Sequence, residues 1–150
     1  MIRDRIKTEL VTAMKAGDKP RTAAIRLIQS SIKNRDIELR TGTAPADDDV
    51  MVTEVLQKMI KQRRESIALY QQGGRQELAD AEQAEVAVIT DFLPVQMSED
   101  ETRAAIDAIV AETGAASLKD MGRVMALLKD RHAGSLDMGK ASGLVRARLG

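Results

Sequence analysis

The apolar positions of this chain recur at three- and four-residue spacing almost from end to end, which is the pattern of amphipathic helices. Ile6, Leu10, Ala13 and Met14 form one stripe and predict a helix over 2–16, ended at Gly17. Ala24, Ile25, Ile28, Ile32 and Leu39 form a second over 20–40, and Leu27 widens it, so that this helix is expected to be touched from two sides. A polar loop with Pro45 and the run Asp47-Asp48-Asp49 follows. One of these acids is expected to cap a third helix, 50–72, where negative charge suits the unpaired N–H groups. Val52, Leu56, Met59, Ile60, Ile67 and Tyr70 share its apolar face. Gly73-Gly74 breaks the pattern, and 76–92 reads as a fourth helix burying Leu78, Ala81, Ile89 and Phe92. Pro94 stops it. Three shorter helices follow, over 98–113, 118–131 and 138–149, with Ser98 and Glu101 as a capping box and Ser117 and Asp137 as caps. Their inward residues are expected to be Ala105, Ile106, Ile109 and Val110, then Leu118, Met121, Val124, Met125 and Leu128, then Ala141, Leu144, Val145 and Leu149.

The pattern therefore predicts an all-α protein in two parts. Residues 1–94 form a helical domain of about four helices built on a long antiparallel hairpin, and residues 95–150 form a small three-helix domain. A chain of 150 residues is long enough to bury a core in this way without a disulfide or structural metal. Abundant Met, Ala and Leu and the lack of β-branched runs agree with helices. No apolar run approaches the ~18 residues that a membrane span needs, so no membrane partner is expected.

Two charges break the apolar faces. Arg63 projects between Met59, Ile60 and Ile67, and Glu85 lies at the centre of the fourth helix's apolar face. A hairpin turning at Gly73-Gly74 brings position 63 opposite roughly 84. An unpaired buried charge costs several kcal/mol, so Arg63 and Glu85 are expected to form an ion pair, with Glu82 as the substitute partner. The other bases of this region, Lys58, Lys61, Arg64 and, at the turn, Arg75, are interleaved with acids. Glu54–Lys58 and Lys61–Glu65 have the i, i+4 spacing of helical ion pairs. This face reads first as a typical solvated helix surface and only second as a binding one.

Charge shifts attention to the chain's ends. The 23 acidic and 23 basic residues cancel, which argues against a nucleic-acid binder driven by charge over its whole surface. The distribution is uneven, with ten bases to five acids in 1–40, five acids and no base in 76–94, and seven bases to three acids in 119–150. The last group is Lys119, Arg123, Lys129, Arg131, Lys140, Arg146 and Arg148. Such cations hold phosphates without reading bases. Tyr70 and Phe92 are the sole aromatics, so a stacking platform for single strands is not expected, and recognition of a folded RNA by shape fits better. The chain has no cysteine and one histidine, His132. This excludes thiol chemistry and multi-histidine metal sites, and His132 is expected to cap or pack the end of the sixth helix. There is no glycine-rich phosphate loop. No catalytic residue, metal or cofactor is expected. The start, MIRDRIKTEL, lacks the apolar core of a signal peptide, and with the missing cysteines it makes the cytosol the expected compartment.

The run KMIKQRRESIALYQQGGRQELADAEQAEVAVITDFLPVQMSEDE, the opening LxxAMKAGDKPRTAAIRLIQSSIKN, the later SLKDMGRVM and the spacing from Gly134 to Asp137 together resemble the YqeY-like family (GatB/YqeY domain proteins). The resemblance covers essentially the whole chain. It implies a free-standing relative of the last two domains of the B subunit of tRNA-dependent amidotransferase, a glutamine-dependent carbon–nitrogen ligase. Residues 1–94 are similar to that subunit's helical domain and residues 95–150 to its tail, which in the family is associated with docking tRNA. The catalytic cradle and the glutaminase part have no counterpart here, so none of their catalytic residues has a position in this chain. The resemblance thus implies an accessory module for tRNA, for the amidotransferase or for another tRNA-related protein. A protein-interaction module without a nucleic-acid role is the alternative that zero net charge and few aromatics favour.

Overall fold

The computed structural model describes residues 1–132 and 134–150. Among these residues there are seven α-helices and no strand: α1 (Ile2–Lys15), α2 (Lys19–Glu38), α3 (Asp48–Gln72), α4 (Gln76–Thr90), α5 (Glu99–Thr113), α6 (Met121–His132) and α7 (Met138–Leu149). The protein is all-α, as its periodicity predicts, and the helix ends fall within a turn of the predicted ones. The largest difference precedes α6, where Leu118–Asp120 forms a 3-10 turn instead of extending the helix. The Asp120 carboxylate reaches back to accept from the backbone N–H groups of Ala116 at 3.0 Å and Ser117 at 3.4 Å. These bonds tighten the turn, and Leu118, expected inside, stays 51% exposed.

The chain divides into two units, Met1–Leu93 and Pro94–Gly150, each with its own core. The first is built on the α3–α4 hairpin, whose helices make the most extensive contact in the fold. The first half of α3 is buried on nearly every side, through Met51, Val52, Thr53, Val55, Leu56, Met59 and Ile60. No residue of α3 beyond Ile60 is buried, and Leu69 is 68% exposed. The core therefore sits at the base of the hairpin, where α1 and α2 pack on it. Gly74 makes the turn with φ 72°, a left-handed conformation that a side chain would strain.

Each residue of the acidic run has its own task. The Asp47 side chain caps α3 by accepting from the Asp49 N–H at 2.9 Å. Asp48 accepts twice from the Arg3 guanidinium, at 2.8 and 3.1 Å, and Arg3 also holds Asp36 at 2.9 and 3.0 Å. Asp49 accepts from the Ile2 N–H at 2.9 Å. The start of α1 is thereby fastened to the start of α3. A second fastening lies after α4, where the guanidiniums of Arg5 and Arg21 lie over the fully buried Phe92 ring, 5.4 and 5.9 Å from its centroid. Arg21 also pairs with Asp91 at 3.1 Å and Glu9 at 3.3 Å, and Arg5 donates to the Asp91 carbonyl. Cation–π contacts in which the cation still reaches water are worth roughly 0.5–1 kcal/mol each.

Several side chains face differently from expectation. α4 buries Ala79, Val86 and Ile89, whereas Ala81 is exposed and Leu78 half-buried. Two neighbouring seams of α4 are similarly apolar, and packing against α2 and α3 selects the one through 79, 86 and 89, leaving Glu85 at the edge. Met14 and Leu27, both assigned to apolar stripes, are 52% and 45% exposed. α2 does contact α1, α3 and α4, but Leu27 points away from the core they form.

In the second unit, α6 packs against both α5 and α7. Ile106, Ile109, Val124, Leu128, Ala141 and Val145 are almost wholly buried. Ser98 and Glu101 form the capping box of α5, with bonds of 3.1 and 3.4 Å. Asp137 caps α7 through the N–H groups of Gly139 at 2.9 Å and Lys140 at 3.3 Å. The Met97 N–H donates to the Ser135 carbonyl at 2.8 Å, tying the segment before α5 to the loop before α7.

Candidate anion-binding surfaces

The basic residues of the hairpin divide into fold-building and exposed groups. Arg63 Nε donates to Glu85 at 2.8 Å, with Glu82 4.0 Å away. The Arg63 side chain is 16% exposed and that of Glu85 34%. The pair therefore closes the edge of the helix interface rather than its centre, a consequence of the rotated face of α4. Arg75 meets Glu77 at 2.9 Å on the surface, and this neighbour holds the Glu77 carboxyl below its ordinary range. Lys58 and Lys61 are exposed. The i, i+4 pairs expected with Glu54 and Glu65 do not form, since neither lysine has a carboxylate within ion-pair distance among the described residues. Arg64 is exposed as well.

The C-terminal basic group divides in the same way. Arg131 grips Glu112 of α5 through two bonds, 2.7 and 2.8 Å. Arg148 meets Asp107, also on α5, at 2.9 Å, and Arg123 meets Asp120 at 3.1 Å. Arg131 lowers the pKa of Glu112 through its hydrogen bonds, while the carboxyl of Asp120 is lowered chiefly by the Ala116 N–H. The seven-to-three excess along 119–150 is thus partly cancelled by α5, and residues 94–150 together hold eight acids and eight bases. Lys119, Lys129, Lys140 and Arg146 remain exposed, with no carboxylate partner among the described residues. They occupy the 3-10 turn, the last turn of α6, and the first and last turns of α7. Lys140 and Arg146 stand roughly 120° apart about the α7 axis, so the group is spread over the unit and not aligned in one stripe. His132 closes α6 and is half-buried.

Neither periodicity nor motif singles out Lys7 or Lys33. Both line a cleft of about 190 Å³ between α1 and α2, together with Arg3, Ile6, Gln29, Ile32 and Asp36. The ten-to-five excess of bases in 1–40 is their one signal in the sequence. It does not separate these lysines from Arg3, Arg5 and Arg21, which serve the fold. Among the described residues no group of three or more His, Cys, Asp or Glu side chains could hold a metal ion, and no helix is long and apolar enough to cross a membrane.

Comparison with known proteins gives relatives that include three from different organisms, each named altered inheritance of mitochondria protein 41, mitochondrial. That of Eremothecium gossypii is 34% identical over 110 residues, which is 71% of this chain and 58% of the relative. That of Kluyveromyces lactis is 32% identical over 98 residues, 63% of this chain and 51% of the relative. That of Saccharomyces cerevisiae strain S288c is 32% identical over 115 residues, 73% and 60%. The chain therefore spans little more than half the length of these relatives. Their names place them in mitochondria, which overturns the expectation of a cytosolic protein; missing cysteines and a polar start carry no compartment signal strong enough to set against it. A sequence model described as Yqey-like protein matches residues 3–149, and the chain belongs to the YqeY-like family.

Proposed function

We propose that this chain is a non-catalytic accessory module that docks a folded RNA of the tRNA kind through the exposed cations of its second unit. The observation that carries this reading is the division among the C-terminal bases. Arg123, Arg131 and Arg148 are committed to carboxylates, while Lys119, Lys129, Lys140 and Arg146 are exposed and unanswered among the described residues. Cations spread over a small helical surface match phosphates at several points of a folded RNA, and that mode requires no aromatic stacking. The resemblance of 95–150 to the tail of the amidotransferase B subunit supports the same reading.

A mobility-shift titration of the full chain with tRNA, over a range of salt, tests it. The double change Lys129→Glu with Lys140→Glu is expected to weaken binding and to reduce the salt slope by ~0.9 for each phosphate that the variant no longer neutralises. Arg131→Gln is expected to do far less, because that guanidinium already serves Glu112. Binding no tighter to tRNA than to an unrelated duplex RNA, or indifferent to the lysine changes, would overturn the reading in favour of a protein-interaction module. The zero net charge of residues 94–150 is the observation that favours that second reading.

A further inference from the structure

We infer that the cleft between α1 and α2 is a docking groove for an acidic, amphipathic helical segment of a partner protein. This inference concerns the first unit and does not rest on the RNA reading. The two helices run antiparallel, with Arg3 bonded to Asp36 at one end and Met14 in contact with Arg26 at the other, Sδ to guanidinium 4.0 Å. The floor is aliphatic, formed by Ile6 and Ile32, which belong to the core. Lys7 and Lys33 line the cleft from opposite helices, and neither has a carboxylate partner among the described residues. Asp36, the acid of the cleft, is already held by Arg3.

Along the same strip of α1, at helical spacing from Lys7, stand Val11 and Met14, 49% and 52% exposed. Met14 is one of the apolar residues that the periodicity assigns to the core and that the fold leaves in solvent.

Size, surface and charge agree on the occupant. Small-molecule sites are typically ~300–1,000 Å³, so about 190 Å³ suits one anchoring aliphatic side chain of a longer segment. An aliphatic floor continued by Val11 and Met14 offers nothing to phosphates, and no aromatic ring lines the cleft for a base to stack on. Helix-in-groove recognition needs this combination of an apolar floor for anchors at i, i+3 or i+4 and i+7 and a charged rim for the flanks. With Lys7 and Lys33 on the rim, the complementary flanks are Asp or Glu. The lysine stems can lie along the aliphatic surface while their ammonium groups meet the acids.

The test uses the ¹⁵N-labelled full chain and a synthetic helical peptide with Leu anchors at i, i+4 and i+7 and Glu on both flanks. Amide shifts are expected in residues 3–14 and 26–36. Lys7→Glu with Lys33→Glu is expected to weaken the peptide by about tenfold or more, a difference of ~1.4 kcal/mol, and a peptide with Lys in place of Glu should recover affinity for that variant. Lys7→Gln with Lys33→Gln should give a smaller loss and serves if the glutamate variant folds poorly. Replacing the Leu anchors by Ser should abolish the shifts. Shifts outside these residues, none at all, affinity unmoved by the lysine changes, or stronger perturbation of the same amides by a short RNA duplex would overturn the inference.

Discussion

At the scale of single residues, lysine and arginine divide the work. Among the described residues ion pairs are made by arginines, Arg3, Arg21, Arg35, Arg63, Arg75, Arg103, Arg123, Arg131 and Arg148 among them. No lysine among them has one. The guanidinium fork can hold a carboxylate through two bonds or bridge two carboxylates, whereas an ammonium on a flexible stem gains less from being fixed. Arg3 shows the difference most fully, since it bridges Asp36 and Asp48 and joins three helices. Its hydrogen bonds hold the Asp48 carboxyl below the ordinary 3.8. A carboxyl with a folded-state pKa below its unfolded one stabilises fully above the unfolded value, and the contribution is lost as pH falls through the folded value. Denaturant melts from about pH 5 down to pH 3 should therefore show stability falling more steeply in the native sequence than in Asp48→Asn. At neutral pH that variant should cost about 1 kcal/mol, because the site is partly exposed. Parallel pH profiles for the two proteins would show that Asp48 is not the titrating group.

At the scale of elements, the helices are readable from sequence because their punctuation is local. An Asp or Ser cap, a glycine stop and a proline each act within one turn, so α5 and α7 begin and end where their residues say. Faces are less readable. α4 carries two adjacent seams, and the one containing Glu85 and Ala81 loses to the one containing Ala79 and Val86, because α2 as well as α3 packs on this helix. The Arg63–Glu85 pair therefore lies at a half-exposed edge, and its worth falls between that of a surface pair and a buried one. Arg63→Met is expected to cost about 1–2 kcal/mol in denaturant melts, and adding Glu85→Leu should recover part of it. Strictly additive effects of the two changes would mean that the pair contributes no coupling. The far half of the hairpin, beyond Ile60, has little other packing, so this edge matters more there than it would at the base.

At the scale of the whole molecule, two cores share one chain. Leu128 is fully buried in the second core, and Leu128→Ala should cost ~2–5 kcal/mol of that unit's stability. Hydrogen exchange should then quicken for the slowest amides of α5, α6 and α7 and leave those of α3 around Val52 and Leu56 unchanged. Equal acceleration in both units would mean that the cores unfold as one. The charge pattern is also a whole-molecule property. The acidic stretch 95–118 and the basic stretch 119–150 look like separate zones along the chain, yet Asp107 and Glu112 of α5 take up Arg148 and Arg131 once the helices pack.

The all-helical class, the helix limits and the family follow from the residue order alone, because periodicity, caps and motifs are written in neighbouring residues. So does the register of Arg63 with Glu85, because a tight glycine turn leaves two antiparallel helices little choice. Packing alone selects which seam of α4 is buried, which acids answer the other long-range arginines, and which cations are left over. Those outcomes depend on residues up to 86 positions apart, as between Arg5 and Asp91, and no local pattern encodes which distant carboxylate a guanidinium will reach. The same holds for Lys7, Lys33, Val11 and Met14. They are unremarkable along one helix or two, and become a charged, aliphatic groove only when α1 lies against α2.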